Sequence, residues 1–443
     1  MKLLSISISG FRNIAETHIE LGGITAFVSP NNYGKSNLLE AMGFAAVFLN
    51  ESPRMRTIMM GRASDIPLIP GLEDSRFSFQ IEFEEPSLGE YRFVRYGFSF
   101  EWKRDDGTGQ RIVDETIETN SKRDRRWTNY LKREKGQYKK SHDTRSFRTI
   151  KLDDNQLAID VLTAIEDIDI NPVIKRIKDF GFAICNSLDV TGRFRSVPLE
   201  FGFDADDDGL AAFDDIDVSR AMYRLKTNRP QRYEDLLSAL YTLFPEFEDI
   251  AVNSYELKQE EKEKYSETLK VQDAGESENG EQTIPFHIRD ELYKTTVRSA
   301  HLNQPVNMSL MSMGTQRIVW LLTNVIIADT YDAQCIGIEE LETSIHPRML
   351  GELLEILDEN MENTSLLITS HSPFLIQYLK PEQIYLGVPG ESGTASFKRL
   401  RRETIGQTVN RAHDNGLGFG EYLFNLMSSE EDGAAALREI LEG

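Results

Sequence analysis

The stretch Ser29-Pro30-Asn31-Asn32-Tyr33-Gly34-Lys35-Ser36-Asn37 constrains this chain more than any other. Before it, Ile24 to Val28 is an apolar run that reads as a short buried strand. After it, Leu38-Leu39-Glu40-Ala41-Met42 reads as the opening turns of a helix. Strand, loop and helix in that order, with the spacing G-x-x-x-x-G-K-S and Ser29 in place of the first glycine, make a phosphate-binding loop and an α/β fold. Asn31, Asn32 and Gly34, with the helix start from Lys35 to Asn37, would cradle phosphate oxygens on backbone N–H groups. Lys35 would reach the β and γ phosphates of ATP, and the Ser36 hydroxyl would ligate Mg²⁺.

A chain of 443 residues exceeds one ordinary small core, so two or three domains, or one domain with a large insertion, are expected. The net charge of −22 excludes a surface that is basic throughout, and any nucleic-acid contact must sit on a local patch. Cys185 and Cys335 lie in apolar sequence without paired spacing, which fits a reducing cytoplasm and suggests neither a disulfide framework nor a zinc site. No apolar run approaches the roughly 18 residues that span a bilayer, so a cytoplasmic protein with no membrane partner is expected.

Along the chain, residues 2 to 9 alternate, with Leu4, Ile6 and Ile8 on one face, and Thr17 to Leu21 read as a second strand. Arg12, between them, either reaches a bound nucleotide or is a solvated turn arginine. Alternating patterns at 77–83 and 91–102 predict further strands, and Asp105-Asp106-Gly107-Thr108-Gly109 reads as a hairpin turn after them. Residues 122–151 hold twelve Lys or Arg against three acids, a local excess of nine, with Trp127, Tyr130, Tyr138 and Phe147 interleaved. That pattern suits DNA or RNA, a solvated arm, or a docking surface for an acidic partner. Helical periodicity runs from Leu157 to Phe180 and from Val218 to Phe244. Between these, Asp204, Asp206, Asp208, Gly209 and Asp215 fall on calcium-loop spacing but read better as a solvated acidic loop. Residues 256–281, dense in charge, read as a long hairpin tip or surface segment.

Chemistry returns in three later stretches. Met311-Ser312-Met313-Gly314-Thr315-Gln316 opens an apolar helix, and its serine and glycine make a second anion-binding helix start. Ala333 to Ile338 is a short strand that delivers Glu339 and Glu340 at its end, one carboxylate for the Mg²⁺ shell and one to deprotonate the attacking water. The usual first acid is aspartate, so Glu339 carries its carboxylate one methylene further out. Ser365 to Thr369 is another buried strand, ending at Ser370-His371-Ser372-Pro373, where His371 can bond the γ phosphate. Phosphate loop, Ser-x-Gly helix start, paired acids and strand-end histidine occur in the order that closes one nucleotide site. A GTPase or kinase fits less well, because no N-K-x-D motif occurs.

These residues resemble the ATP-binding-cassette ATPases of the RecF, SMC and OLD (overcoming lysogenization defect) type. Asn31 to Ala41, Glu339-Glu340-Leu341-Glu342-Thr343-Ser344-Ile345-His346-Pro347 and Thr369 to Pro373 are most similar to the OLD-like branch, over roughly the first hundred and last hundred and fifty residues. The resemblance implies an ABC-type P-loop head, with a mixed sheet flanked by helices, made by residues 1–118 and 285–443, and an inserted, mainly helical domain at 119–284. It implies heads paired head to tail in a homodimer or higher oligomer, where Ser312, Gly314 and Gln316 of one copy close on the γ phosphate held by Lys35 of another. It also implies a Mg²⁺-contacting glutamine, for which Gln80, Gln110 and Gln156 all remain candidates, and no room for a Toprim nuclease after His371. Heads of this kind resemble the ATPase subunits of anti-phage systems such as PARIS, Septu and abortive-infection modules, which work with a separate effector protein. The alternative is a RecF-like clamp closing on DNA in repair. The apolar residues Tyr422, Leu423, Phe424, Leu426 and Met427 would dock an effector or cap the head's own core.

Overall fold

Alternating residues form β1 (Lys2–Ser9), yet Leu3 rather than Leu4 is buried beside Ile6 and Ile8. The register against the neighbouring strand shifts between Leu3 and Ser5, and this bulge turns the first side chains over. The computed structural model describes the chain apart from residues 124, 125, 142–144, 166, 167, 187, 188, 197, 202–216, 261, 265–285, 390–392, 430 and 443. The calcium-like spacing at Asp204 to Asp215 therefore lies outside the described residues, as does most of the charged stretch 256–281.

The chain forms two compact units, one of residues 1–186, 332–342 and 363–443, the other of 187–331 and 343–362. In the first unit, β2 (Thr17–Glu20), β3 (Ile24–Val28) and helix α1 (Lys35–Asn50) follow β1. Then come β4 (Phe77–Glu84), β5 (Phe93–Glu101), β6 (Arg111–Asn120), β7 (Thr128–Lys132), β8 (Gln137–Tyr138), β9 (Arg148–Thr149) and β10 (Phe182–Cys185). An eight-stranded antiparallel sheet runs in the order β2-β1-β4-β5-β6-β7-β8-β9. A six-stranded sheet holds β10, then Cys335–Glu339, Ser365–Ser370, β3, Ile384–Pro389 and Ala395–Arg399. Its first five strands are parallel and the last is antiparallel.

Helix α1 is apolar nearly all round because it meets both sheets. A methyl group added at Gly43 would touch Ile184 of β10, and one at Gly337 would touch Leu39 of α1 and Phe182 of β10. On the other side Phe48 stacks on Phe98 and Phe100, with ring centroids 5.1 and 4.9 Å apart. The fold is thus mixed α/β, with large sheets flanked by helices. The middle of the chain differs from the expected helical insertion. Residues 119–186 belong to the first unit, where β7 to β9 extend one sheet and β10 edges the other. Their strand period was hidden by dense charge.

The second unit carries the helices Val218–Asn228, Pro230–Leu243, Met313–Thr330 and Pro347–Glu359 and a small antiparallel sheet of Phe247–Glu256, Glu291–Ser299 and Val306–Asn307. The helical pattern from 218 to 244 is cut at Arg229, which leaves the helical region because Pro230 follows it. Arg232 joins its helices, bonding Asp329 and the Asn360 carbonyl, each at 2.9 Å. Near the C-terminus of the first unit, Leu423 and Met427 are buried in the helix Phe419–Ser428, so this apolar stretch covers the unit's own core.

Glu115 of β6 is fully buried. Its carboxylate accepts from the Ala158 and Ile159 N–H groups, at 2.6 and 3.2 Å, and from the Tyr96 hydroxyl at 3.1 Å, so it caps the helix Ala158–Thr163 from a distant strand. Burial nevertheless pushes its pKa up to about 7. A carboxyl that titrates higher folded than unfolded binds its proton more tightly in the folded state. Stability therefore falls as pH rises from about 4.5 to about 7 and is flat above that window. Glu115→Gln is expected to remove this slope. Urea midpoints of both proteins across that pH range check it, and parallel slopes would contradict it.

Candidate active site

The phosphate loop begins where β3, buried along its whole length, runs out of core. Gly34 adopts φ +86°, and a Cβ there would lie 2.9 Å from Asn13 Oδ1 and 3.0 Å from the Ala395 Cβ, so only glycine fits the turn into α1. Asn32 also lies in the left-handed region, at φ +64°. No side chain caps α1, which leaves the N–H groups of its first turn able to bind an anion. Lys35 Nζ donates to the Ser29 carbonyl at 2.8 Å and the Pro30 carbonyl at 3.0 Å. Burial lowers the Lys35 pKa, opposed by the carboxylates of Glu340, Glu342 and Glu339 in that order of strength.

Those acids arrive on the neighbouring strands. Glu339 ends Cys335–Glu339 and accepts a hydrogen bond from the Ser36 hydroxyl. Burial raises its pKa, the Ser36 bond opposes the rise, and the charges of Glu40 and Glu340 add to it. Glu340 stands at φ +47°, held there by its N–H bond to the Thr369 carbonyl at 3.0 Å. His371, at the end of Ser365–Ser370, places Nδ1 3.5 Å from Glu340 Oε1 and 3.8 Å from Glu342 Oε1. Glu342 Oε1 in turn accepts from the Ser370 hydroxyl at 2.7 Å and from the His371 N–H at 3.2 Å. A cavity of about 600 Å³ is lined by residues 31–37 together with Glu340.

Arg12 is no solvated turn residue. It donates to Asn37 Oδ1 at 2.9 Å and the Ser64 carbonyl at 3.0 Å, and pairs with Glu40 at 2.6 Å. Asn37 also donates to Asn13 at 2.8 Å, so its side chain braces Arg12 and Asn13 against the first turn of α1. The first unit thus brings together Arg12, Asn31, Asn32, Gly34, Lys35, Ser36, Asn37, Glu339, Glu340 and His371.

Ser312, Gly314 and Gln316 lie in the second unit. Ser312 caps the helix Met313–Thr330 by accepting from the Thr315 N–H at 3.2 Å. A Cβ on Gly314 would fall 2.6 Å from the Ser344 carbonyl, so that residue allows two backbones to meet. Gln316 is buried, donating to the Met311 carbonyl at 2.8 Å, and braces the turn before the helix. Of the three candidate glutamines, Gln80 lies within β4, Gln110 donates to the Thr57 carbonyl, and the Gln156 carbonyl accepts from Arg133.

Two residues escaped the sequence reading. Glu342 was visible only as part of an acidic run, with no signal of its contact to residue 371. Asn186 follows β10, whose register sets Cys185 opposite Ile338, so Asn186 comes level with Glu339 at the same sheet edge. No glutamine stands there, and a search for one passes it by. The donor set fits a magnesium nucleotide: a hydroxyl bonded to a carboxylate, a glycine turn that no side chain can enter, and an uncapped helix start.

Two family models match the chain. One, described as an AAA domain, covers residues 5–278; the other, an AAA domain whose description adds the AbiEii toxin and a Type IV TA system, covers 193–377. No curated protein matches. Among solved structures, an SMC head bound to the C-winged helix domain of ScpA is 12% identical at TM-score 0.48, covering 92% of this chain and 100% of that one. The SMC head domain from Thermotoga maritima is 11% identical at TM-score 0.43, covering 90% and 100%. The recombination mediator protein RecF is 13% identical at TM-score 0.40, covering 89% and 97%. The match over residues 5–278 spans more than half the chain, which therefore belongs to the AAA-domain family of ATPases.

Lys35→Ala is expected to weaken ATP binding about 10- to 150-fold, the equivalent of about 1.5–3 kcal/mol for a charge-assisted hydrogen bond. Titration calorimetry reads this directly, and an affinity equal to that of the unsubstituted protein would remove Lys35 from the site.

Proposed function

We propose that this chain hydrolyses Mg-ATP and uses its nucleotide state as a sensor or assembly switch, acting in anti-phage defence beside a separate effector protein. One observation carries the reading: Lys35, the Ser36–Glu339 pair and the Glu340–His371 pair open on a single sheet edge. Lys35 holds the terminal phosphates. Ser36 and Glu339, with Asn186 level beside them, hold Mg²⁺, which when bound screens phosphate charge. Glu340 takes the proton of the attacking water, and His371 donates to a γ-phosphate oxygen. Glu342 fixes His371 through its backbone N–H and so acts as a positioning residue. Arg12, from the turn after β1, reaches the nucleotide beside Asn37 of the first turn of α1.

The site is completed by Ser312 and Gly314 of a second copy, in a head-to-tail homo-oligomer of OLD-like type. The description of the model matching 193–377, with its toxin and TA system, supports a role in defence. The buried thiols of Cys185 and Cys335 support a cytoplasmic location. A RecF-like clamp in repair is the second reading, and the basic residues of 122–151 favour it.

Glu340→Gln is expected to bind Mg-ATP, to turn over at least 100-fold more slowly, in line with loss of a general base, and to double its solution mass by light scattering when Mg-ATP is added. An ATP-bound protein that stays monomeric would sink the head-to-tail site. Glu342→Gln is expected to lower kcat about tenfold with KM little changed, as for other residues that orient a catalytic group. A change confined to KM would show instead that Glu342 serves binding.

A further inference from the structure

The basic stretch is built into the sheet, and the sheet sorts its residues onto two faces. Across β7, β8 and β9, Leu131 pairs with Tyr138 and Tyr138 with Arg148, while Lys132 pairs with Gln137 and Gln137 with Thr149. Leu131, Tyr138 and Ile150 belong to the core, so the Lys132-Gln137-Thr149 row faces out. On that row Phe147, two residues before Thr149, is half-buried, with Lys132 Nζ 5.5 Å and Lys139 Nζ 5.3 Å from its ring centroid.

Several cations here lack an ion pair among the described residues, whereas those on the neighbouring strands have one. On β4 to β6, Arg95 pairs with Glu82 and Glu118, and Arg111 with Glu101. Lys132, Lys135, Lys139, Arg145, Arg148 and Lys151 form no ion pair with a carboxylate among the described residues. In a chain with 72 acids and 50 bases, a short stretch in which cations outnumber acids concentrates positive charge that repels itself. Cations on β9 also guard a sheet edge against pairing with another sheet. One or two would serve that end, and none would need an aromatic ring between them.

We propose that the outward face of β7, β8 and β9 binds single-stranded nucleic acid, with Lys132, Lys139, Arg145 and Lys151 on phosphates and Phe147 as a platform for one base. A duplex keeps its bases stacked and would gain nothing from Phe147; an unstacked base presents the face that such a ring accepts. This inference is independent of the nucleotide site and is tested without ATP.

The test is fluorescence anisotropy of the full chain with a labelled 20-nucleotide oligo(dT), against a 20-base-pair duplex and poly-glutamate as competitors. Binding is expected to weaken with salt, at about 0.7 log units per log unit of salt for each phosphate contacted. Lys132→Glu with Lys139→Glu is expected to cost at least 30-fold, and Phe147→Ala about tenfold, consistent with loss of one stacked base. Circular dichroism and thermal melting of these variants, expected to be unchanged, report that they fold. The proposal is overturned by absent binding at 50 mM salt, set low to favour phosphate contacts, by charge reversal without effect, by poly-glutamate competing as well as oligo(dT), or by equal duplex affinity with Phe147→Ala unaltered.

Discussion

Everything in the site depends on parallel strands leaving the core together. β3, Cys335–Glu339 and Ser365–Ser370 are buried on both faces along most of their length, so a charged group on them is tolerated only where they end. All three run the same way, and their C-terminal ends open on one edge. The pairing continues past the strands: Ser29 N–H bonds the Ser370 carbonyl, and Glu340 N–H the Thr369 carbonyl. The phosphate loop, the paired acids and the histidine turn are therefore fixed to one another by backbone, before any side chain contributes.

That frame carries strain and charge that would be costly elsewhere. Among the described residues, six other than glycine take positive φ, and Arg12, Asn32 and Glu340 among them are in the site. At Glu340 the left-handed turn redirects the chain immediately after Glu339, so the two adjacent acids diverge, one to Ser36 and the other to His371. Glu40, Glu339, Glu340 and Glu342 gather near Lys35 and Arg12, acids outnumbering cations. Burial, with repulsion from Glu40 and Glu340 added to it, raises Glu339, which is the electrostatic condition that a divalent cation relieves.

Legibility followed period and burial. β3 was readable to the residue because four apolar residues and Thr25 sit between turn signals, and the phosphate loop because glycine and lysine spacing is dictated by backbone geometry. β7 to β9 were not, since two of these strands are two residues long and sit among dense charge, which mimics a solvated arm. The helical run from Leu157 was readable as apolar but not as two helices, Ala158–Thr163 and Asn171–Lys178, because Pro172 permits a helix start as readily as a kink. Glu342 and Asn186 were illegible for another reason: their positions follow from which strands lie side by side, and the neighbours of β10 and of Ser365–Ser370 are far away in sequence.

The two departures from the phosphate-site pattern are each compensated by a specific neighbour. Where the motif has its first glycine, Ser29 is fully buried, and a side chain there needs room. The room comes from Gly387 on the adjacent parallel strand, where a Cβ would stand 2.6 Å from the Ser29 Cβ. The glycine has in effect moved across the ladder, and the hydroxyl gained lies 3.4 Å from Lys35 Nζ, adding to the carbonyls that hold the ammonium. Glu339 replaces a shorter acid, and its longer reach ends in the Ser36 bond, so the carboxylate and the hydroxyl still meet. Substituting either residue toward the common pattern therefore changes a pair of contacts, because the second member of each pair has been fitted to the first.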